Sequence, residues 1–422
     1  MRDLVRRLNP FKTPEAQRYA VLFAVVYFAQ GMWYLPNQTI TIVLKDSGFS
    51  AGMVANFFVV SATPWLIKPV YGMLSDFLPL FGRRRFSYFV LTSALAAAAG
   101  FGLGLTGTRE YWILLSLFTA MGLGLAFTDV LVDALMVENG RRLNLTGAFQ
   151  SVQWAAIYTS SILVGIGGGW LAERRSLAVA FGLAAVFPLL SLGMATGVVR
   201  EPRARADRAA FLERLRAVRA ALRAREVWGV AGFIFFFTFS PSFGPGFLFY
   251  QTDQLGFSQQ FIGTLGALQS VGSVLGALTY APLSRRWPLR RTINLSIGLS
   301  TVGTLVYLLY RSPWSGVVID FSFGWVYMVT TLAFLDLAAK ACPPHVEATF
   351  FALLMSVFNL GVQLAENVGA RLYDRVGYSW LVVIGAAMTA LTWVLVPLVR
   401  IDRIEAKARA EAAIAVEATP AG

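Results

Sequence analysis

Long apolar runs, each closed by a charge or a turn residue, follow one another along almost the whole chain. They predict twelve helices, at 18–44, 51–76, 86–106, 110–138, 146–171, 176–199, 226–253, 258–281, 290–311, 314–340, 347–372 and 378–400. A hydrocarbon layer of roughly 30 Å needs about 20 apolar residues at helical rise. Each run reaches that length, and the loops between them are short. The pattern therefore predicts an all-α membrane protein with twelve transmembrane helices in two pseudo-symmetric six-helix bundles.

Composition sharpens this reading. Of 422 residues, 56% are hydrophobic and only 14% are charged, and the mean hydropathy is +0.61. A soluble domain carries about 25% charged residues, so no large extramembrane domain is expected. The single cysteine, Cys342, excludes an intrachain disulfide, and the single histidine, His345, removes His-based zinc sites. No metal or cofactor is expected. The first eighteen residues are polar and basic without an apolar core, so no cleavable signal peptide is expected.

The 36 Lys and Arg outnumber the 23 Asp and Glu, a net charge of +13. In a soluble protein that excess would suggest nucleic acid. Here the great majority of the basic residues fall in both termini and in every second loop. The positive-inside rule then places both termini in the cytoplasm, with the chain in a plasma or bacterial inner membrane and no nucleic-acid partner.

The chain divides into a first bundle at 1–199, a basic linker at 200–225, a second bundle at 226–400 and a tail at 401–422. The tail is acidic and Ala-rich from 404 and reads as disordered. In the Arg-rich linker, Phe211, Leu215, Val218 and Leu222 recur at helical spacing, which fits an amphipathic helix on the inner leaflet or an ordinary cytoplasmic connection. The halves echo each other. LKDSGFS (44–50) answers DQLGFS (253–258), GMLSDFLPLFGRRR (72–85) answers GALTYAPLSRRWPLRR (276–291), and Asp133 answers Asp336, all about half a chain apart. Parallel six-helix halves around a central cavity are the major facilitator arrangement.

A charge near the bilayer centre costs about 2.5–3.5 kcal/mol on insertion scales, so each one needs a reason. In the fourth predicted helix, Asp129 lies about 18 Å along the axis from Arg141, near mid-membrane, and Asp133 lies one turn lower on the same face. Two like charges that close disfavour double ionisation, which makes the couple a candidate proton carrier. In the second helix, Lys68 stands about 12 Å above Asp76, at the depth of Asp133. It calls for a partner on the fourth helix, and Pro69 beside it predicts a kink. A structural ion pair and a role in substrate or proton binding are both open readings.

Further polar stripes sit where lipid would not accept them. The first helix carries Tyr27, Gln30, Tyr34 and Gln38. The fifth carries Gln150, Gln153, Trp154 and Tyr158. The eleventh carries Ser356, Asn359, Gln363, Glu366 and Asn367. Amides and aromatics of this kind suit a flat, hydrogen-bonding heteroaromatic solute better than a bare ion, although helix–helix hydrogen bonds account for part of them. Asp320 and Asp336 in the tenth helix are further candidates, with Lys340 one turn from Asp336 to neutralise it. Asp76 with Arg83, Arg84 and Arg85 sits at the cytoplasmic mouth. Asp76 could form a gate latch there, while the arginines could simply snorkel.

At these positions the chain resembles the folate–biopterin transporter family of the major facilitator superfamily. PWLIKPVYGMLSDFLPLFGRRRFSYFVL (64–91) resembles that family's signature across its second and third helices. TDVLVDALMVE (128–138) resembles its paired-Asp helix, and ACPPHVEATFFALLMSVFNLG (341–361) its eleventh-helix entry. The general facilitator motif is broken by FLPLF between Asp76 and Gly82, as it is in that family. The resemblance implies proton-coupled uptake of folates or pterins by a monomer, with Lys68, Asp129 and Asp133 in binding and coupling. Two other readings stay open at this level. One is a facilitator for another small solute, such as a sugar, a peptidoglycan fragment or a drug. The other is a transport-inactive scaffold on the same fold. No enzyme is expected, since neither a Gly-x-Ser-x-Gly elbow nor a phosphate-binding glycine loop is present.

Overall fold

Proline, glycine and small capping side chains decide where the helices start, break and stop. The computed structural model describes residues 11–143, 145–199, 225–342 and 347–407, together with Glu201, Arg203, Leu212, Glu213, Leu215, Arg216 and Arg219. Helix α1 (Pro14–Asp46) opens with Thr13, whose hydroxyl accepts from Ala16 N at 3.1 Å, and with Pro14 at the first helical position. It tightens into a 3₁₀ turn at Met32–Tyr34 before Pro36, then resumes at Asn37.

Helix α2 (51–77) comes in three pieces, Ala51–Ser61, Thr63–Leu66 and Lys68–Phe77, each of the last two carrying a proline in its first turn. Helix α3 (Phe86–Thr106) ends on Gly107, whose φ of 55° is the left-handed cap glycine accepts. Helices α4 (Tyr111–Leu143), α5 (Thr146–Glu173) and α6 (Leu177–Val198) are uninterrupted. Helix α7 is broken around Pro241 into Arg225–Thr238 and Gly244–Asp253.

Helices α8 (Gln259–Arg286) and α9 (Leu289–Val306) follow. Helix α10 (Pro313–Ala341) starts with a capping box between Ser312 and Ser315. The stretch Glu347–Leu391 holds two spans, α11 (347–376) and α12 (378–391), divided only where Gly377 leaves helical geometry at φ 76°. Short 3₁₀ turns carry α12 on to Val399. Among the described residues each of the twelve predicted helices has a helical counterpart, α2 and α7 in shorter pieces, and no strand occurs.

The tail departs from expectation. Residues 401–407 are helical rather than disordered, because Ile401 is buried and Asp402 and Glu405 find partners on α9. Most of the linker, including Phe211, Val218 and Leu222, lies outside the described residues, as does the tail beyond 407. Leu215 is described and is exposed.

Contacts group the chain into two units. The first is Met1–Phe49, Phe57–Phe211 and Ser258–Ala267; the second is Ser50–Asn56, Leu212–Phe257 and Leu268–Gly422. The first unit's core includes Phe23, Phe89, Leu131 and Phe149. The second is centred on Phe233, Ile297, Phe334 and Leu337. Each unit braces the same end in the same way. In the first, the Glu201 carboxylate, just past α6, accepts from Arg85 N (2.9 Å) and Phe86 N (3.0 Å) at the start of α3. In the second, Glu405, past α12, accepts from Leu289 N (3.1 Å) at the start of α9.

At the opposite end of the helices a second matched set appears. Glu173 of α5 accepts from Gln259 N (2.6 Å) at the start of α8, within the first unit. Asp374 of α11 accepts from Gly52 N (2.8 Å) at the start of α2, within the second. An acidic side chain at a helix N-terminus satisfies free N–H groups and favours the helix dipole.

Candidate functional site

Ile67 is where α2 loses helical geometry, and the piece that restarts there begins with Lys68. Pro69, second in that piece, lacks an N–H that the first turn would leave unpaired anyway. The break therefore sets an ammonium group beside α4, inside the spans. Lys68 Nζ donates to Asp129 Oδ2, and the two side chains are 24% and 4% exposed. Sequence spacing put Lys68 at the level of Asp133, but its ion-pair partner is Asp129, one turn away. A lysine side chain is long enough to cover the ~5.4 Å of one turn.

Asp133 stays within electrostatic reach of Lys68 and accepts a hydrogen bond from the Tyr27 hydroxyl of α1. Trp65 roofs the group, its ring centroid 4.8 Å from Lys68 Nζ, and stands 5.7 Å from the Trp33 ring. Three helices of the first unit thus bring together Tyr27, Lys68, Asp129 and Asp133. Along α1 and α2, Gln30 Oε1, Trp33 Nε1, Asn37 Oδ1 and Trp65 Nε1 are buried with no hydrogen-bond partner among the described residues. Buried polar atoms are satisfied in the great majority of cases, so four unpaired ones on two neighbouring helices are unusual.

The remaining expected residues are dispersed. Tyr34 is exposed, and Gln38 donates to Gln259 O at 2.7 Å. On α5, Gln150 is exposed and Gln153 half-buried. In the second unit, Asn359, Gln363 and Glu366 of α11 are half-buried along one face. At the basic end, Arg83 lies over the Phe86 ring at 4.8 Å, and Arg84 is exposed. Arg85 is buried and held by Glu138 of α4 in a two-pronged ion pair within the first unit. The side chain of Asp76 lies outside the described ones.

In the second unit the sequence singled out Asp320 and Asp336, but not the tyrosines that hold Asp320. Asp320 accepts from Tyr307 (2.9 Å) and Tyr310 (2.8 Å), and Gln251 donates to Tyr310 at 2.8 Å. Asp336 is paired with Lys340 at 2.7 Å, as the one-turn spacing predicts. Glu138, Glu201 and Glu405 were also missed. Glu201 and Glu405 lie as far apart as the two helix starts they cap, so extending the half-chain repeat by one more correspondence would have found them.

Known proteins match this arrangement over most of its length. The BT1 family pattern matches residues 30–417. The "Folate-biopterin transporter" of Synechocystis sp. is 34% identical, over 83% of this chain and 74% of that one. The "Probable folate-biopterin transporter 4" of Arabidopsis thaliana is 25% identical, over 89% and 92%. Among solved structures, the nucleoside transporter NupG aligns with a TM-score of 0.68 at 12% identity, covering 92% of this chain and 98% of that one. That likeness gives the chain the major facilitator fold. The protein is therefore a multi-pass membrane protein and a member of the BT1 family, the folate–biopterin transporters.

Proposed function

We propose that the protein is a secondary transporter that carries folates or pterins across the membrane together with protons, by alternating access. The observation that carries this reading is the group of Tyr27, Lys68, Asp129 and Asp133 within the spans. One ammonium faces two carboxylates, so the group is one positive charge short of neutral. A proton on either carboxylate makes up the difference and loosens the hold on Lys68. Lys68 is then available to the anionic glutamate tail or ionised ring of a folate. When the proton leaves, the ion pair re-forms and the solute is displaced.

The names of the relatives supply the solute class, and the orphaned polar atoms of α1 and α2 suit a solute with many hydrogen-bonding edges. On this reading transport, not catalysis, is the activity, and one chain is the working unit. The basic ends of both units face the cytoplasm of a plasma or bacterial inner membrane, where Asp76, Arg83 and Arg84 contribute to a gate.

The test is uptake of labelled folate into proteoliposomes under an imposed pH gradient, with and without a protonophore. Wild-type protein accumulates folate and the protonophore abolishes accumulation. Asp129→Asn and Asp133→Asn insert normally but lose gradient-driven accumulation. Undiminished gradient-driven uptake in both variants would remove the coupling role from these carboxylates.

A further inference from the structure

Inside the described spans Asp129 and Asp320 are buried and Asp133, Asp336 and Glu366 half-buried, and their surroundings differ in kind. Asp129 has Lys68 and Asp133 has Tyr27; Asp320 has two tyrosine hydroxyls; Asp336 has Lys340 and the Tyr280 hydroxyl. For Glu366, no donor and no cation is present among the described residues. The nearest cation along its own helix, Arg371, is turned to Asn56, to which it donates at 2.9 Å. An unpaired carboxylate in a membrane span costs several kcal/mol unless something supplies its donors.

The setting of Glu366 points to a ligand as that supplier. It shares one face of α11 with Asn359 and Gln363, at the i, i+4, i+7 spacing of a single stripe. No described residue hydrogen-bonds the side chain of either amide. Beside it, α7 is broken. Gly244 at φ 43° packs against the Glu366 backbone so closely that a Cβ there would lie 3.0 Å from Glu366 O, and Ser242 N reaches Ala365 O at 3.3 Å. Interrupted helices at membrane depth occur where they line a cavity, and transporters place their solute sites there. The aromatic side chain of Tyr327, 45% exposed, lies close enough to feel the Glu366 charge.

We propose that Glu366 is a specificity-determining residue that receives the two adjacent N–H donors of a 2-amino-4-oxopyrimidine ring, the donor edge of a pterin, with Asn359 and Gln363 lining the same face. The proposal rests on the functional reading above and deepens it. The ring N3–H and its 2-amino group lie side by side in one plane. They match the two oxygens of one carboxylate as a guanidinium does. The ring acid-base state is unchanged, and no covalent step is involved.

The experiment compares two pteridines binding to the full-length protein in lipid nanodiscs, read by ligand fluorescence. One is pterin. The other is lumazine, which carries an oxygen where pterin carries its 2-amino group. A hydrogen bond to a charged group contributes about 1.5–3 kcal/mol, so the wild-type protein favours pterin over lumazine by roughly tenfold or more. In Glu366→Gln the side chain offers one acceptor and one donor, which suits lumazine's N3–H and neighbouring oxygen. Pterin affinity falls at least about tenfold and the preference is erased or reversed.

Equal wild-type affinity for the two ligands overturns the proposal without recourse to any variant. So does wild-type pterin affinity in Glu366→Gln, or a variant whose ligand preference is intact while only its pH dependence of uptake moves. Absence of pterin and folate binding to the wild-type protein is a different failure: it overturns the transport reading, and this inference with it.

Discussion

Lys68 and Asp129 depend on each other. Breaking a buried pair by removing one partner costs about 3–5 kcal/mol, because the other charge stays buried. Lys68 is 24% exposed, which places its loss near the lower figure. Lys68→Gln is accordingly expected to lower thermal stability by about 3 kcal/mol, measured by heat unfolding in nanodiscs. Adding Asp129→Asn should return most of that stability while folate uptake stays lost. A double variant that regains uptake as well as stability would leave the pair with a structural role only.

Much of this scale was legible in the sequence, since counting residues from the flanking charges places ionisable side chains at mid-span. Which partner each one takes was not. Asp129 and Asp133 differ by one turn, and the choice between them follows from the side-chain reach of Lys68 and from the Tyr27 hydroxyl across on α1. Nor could the pattern distinguish Asp320, held by two tyrosines, from Glu366, held by none. Both read as a carboxylate in an apolar run.

At the scale of elements, the breaks in α1, α2 and α7 are the features that place chemistry, and prolines announce all three. What the sequence concealed is how tightly the broken segments are packed. A Cβ on Gly369 of α11 would lie 1.7 Å from the backbone oxygen of Ser242 in the α7 break, whereas one on Gly361 would meet the Thr238 hydroxyl at 1.9 Å. The Thr238 side chain can turn, leaving contacts of 3.0 Å to its Cβ and 3.2 Å to Phe235 O, but the Ser242 carbonyl cannot move without its backbone. Gly369→Ala is therefore expected to cost about 1–3 kcal/mol or more in overpacking and to abolish uptake. Gly361→Ala should cost clearly less than Gly369→Ala, since a side-chain turn relieves its tightest contact. Melting temperatures of the two variants in the same lipid decide the matter, and equal loss in both would contradict the packing argument. The division of α11 from α12 was legible only as a dip in hydropathy, because a single glycine suffices to turn the chain there.

For the whole molecule, the repeat is visible in matched helix caps more than in matched letters. Glu201 and Glu405 close the start of the third helix of each unit, yet the residues they cap, Arg85 and Leu289, share no chemistry. Backbone N–H groups are the common feature, and sequence comparison does not see them. Loss of a capping side chain costs about 0.5–2 kcal/mol. Glu201→Gln and Glu405→Gln should each lower stability by about 1 kcal/mol, and the double variant by the sum, since the two share no partner. Less than additive loss in the double variant would mean that the two ends unfold as one cooperative piece.

The break at Ile67 has one more consequence. A helix begins at Lys68, so the positive end of the Lys68–Phe77 macrodipole falls on an ammonium that already carries a full charge. Aligned peptide dipoles ordinarily soothe an anion at that end, and here they aggravate a cation. Asp129 therefore screens two sources of positive potential at once. Once it is neutralised, the side chain and the helix start attract negative charge together, from a single point in the membrane.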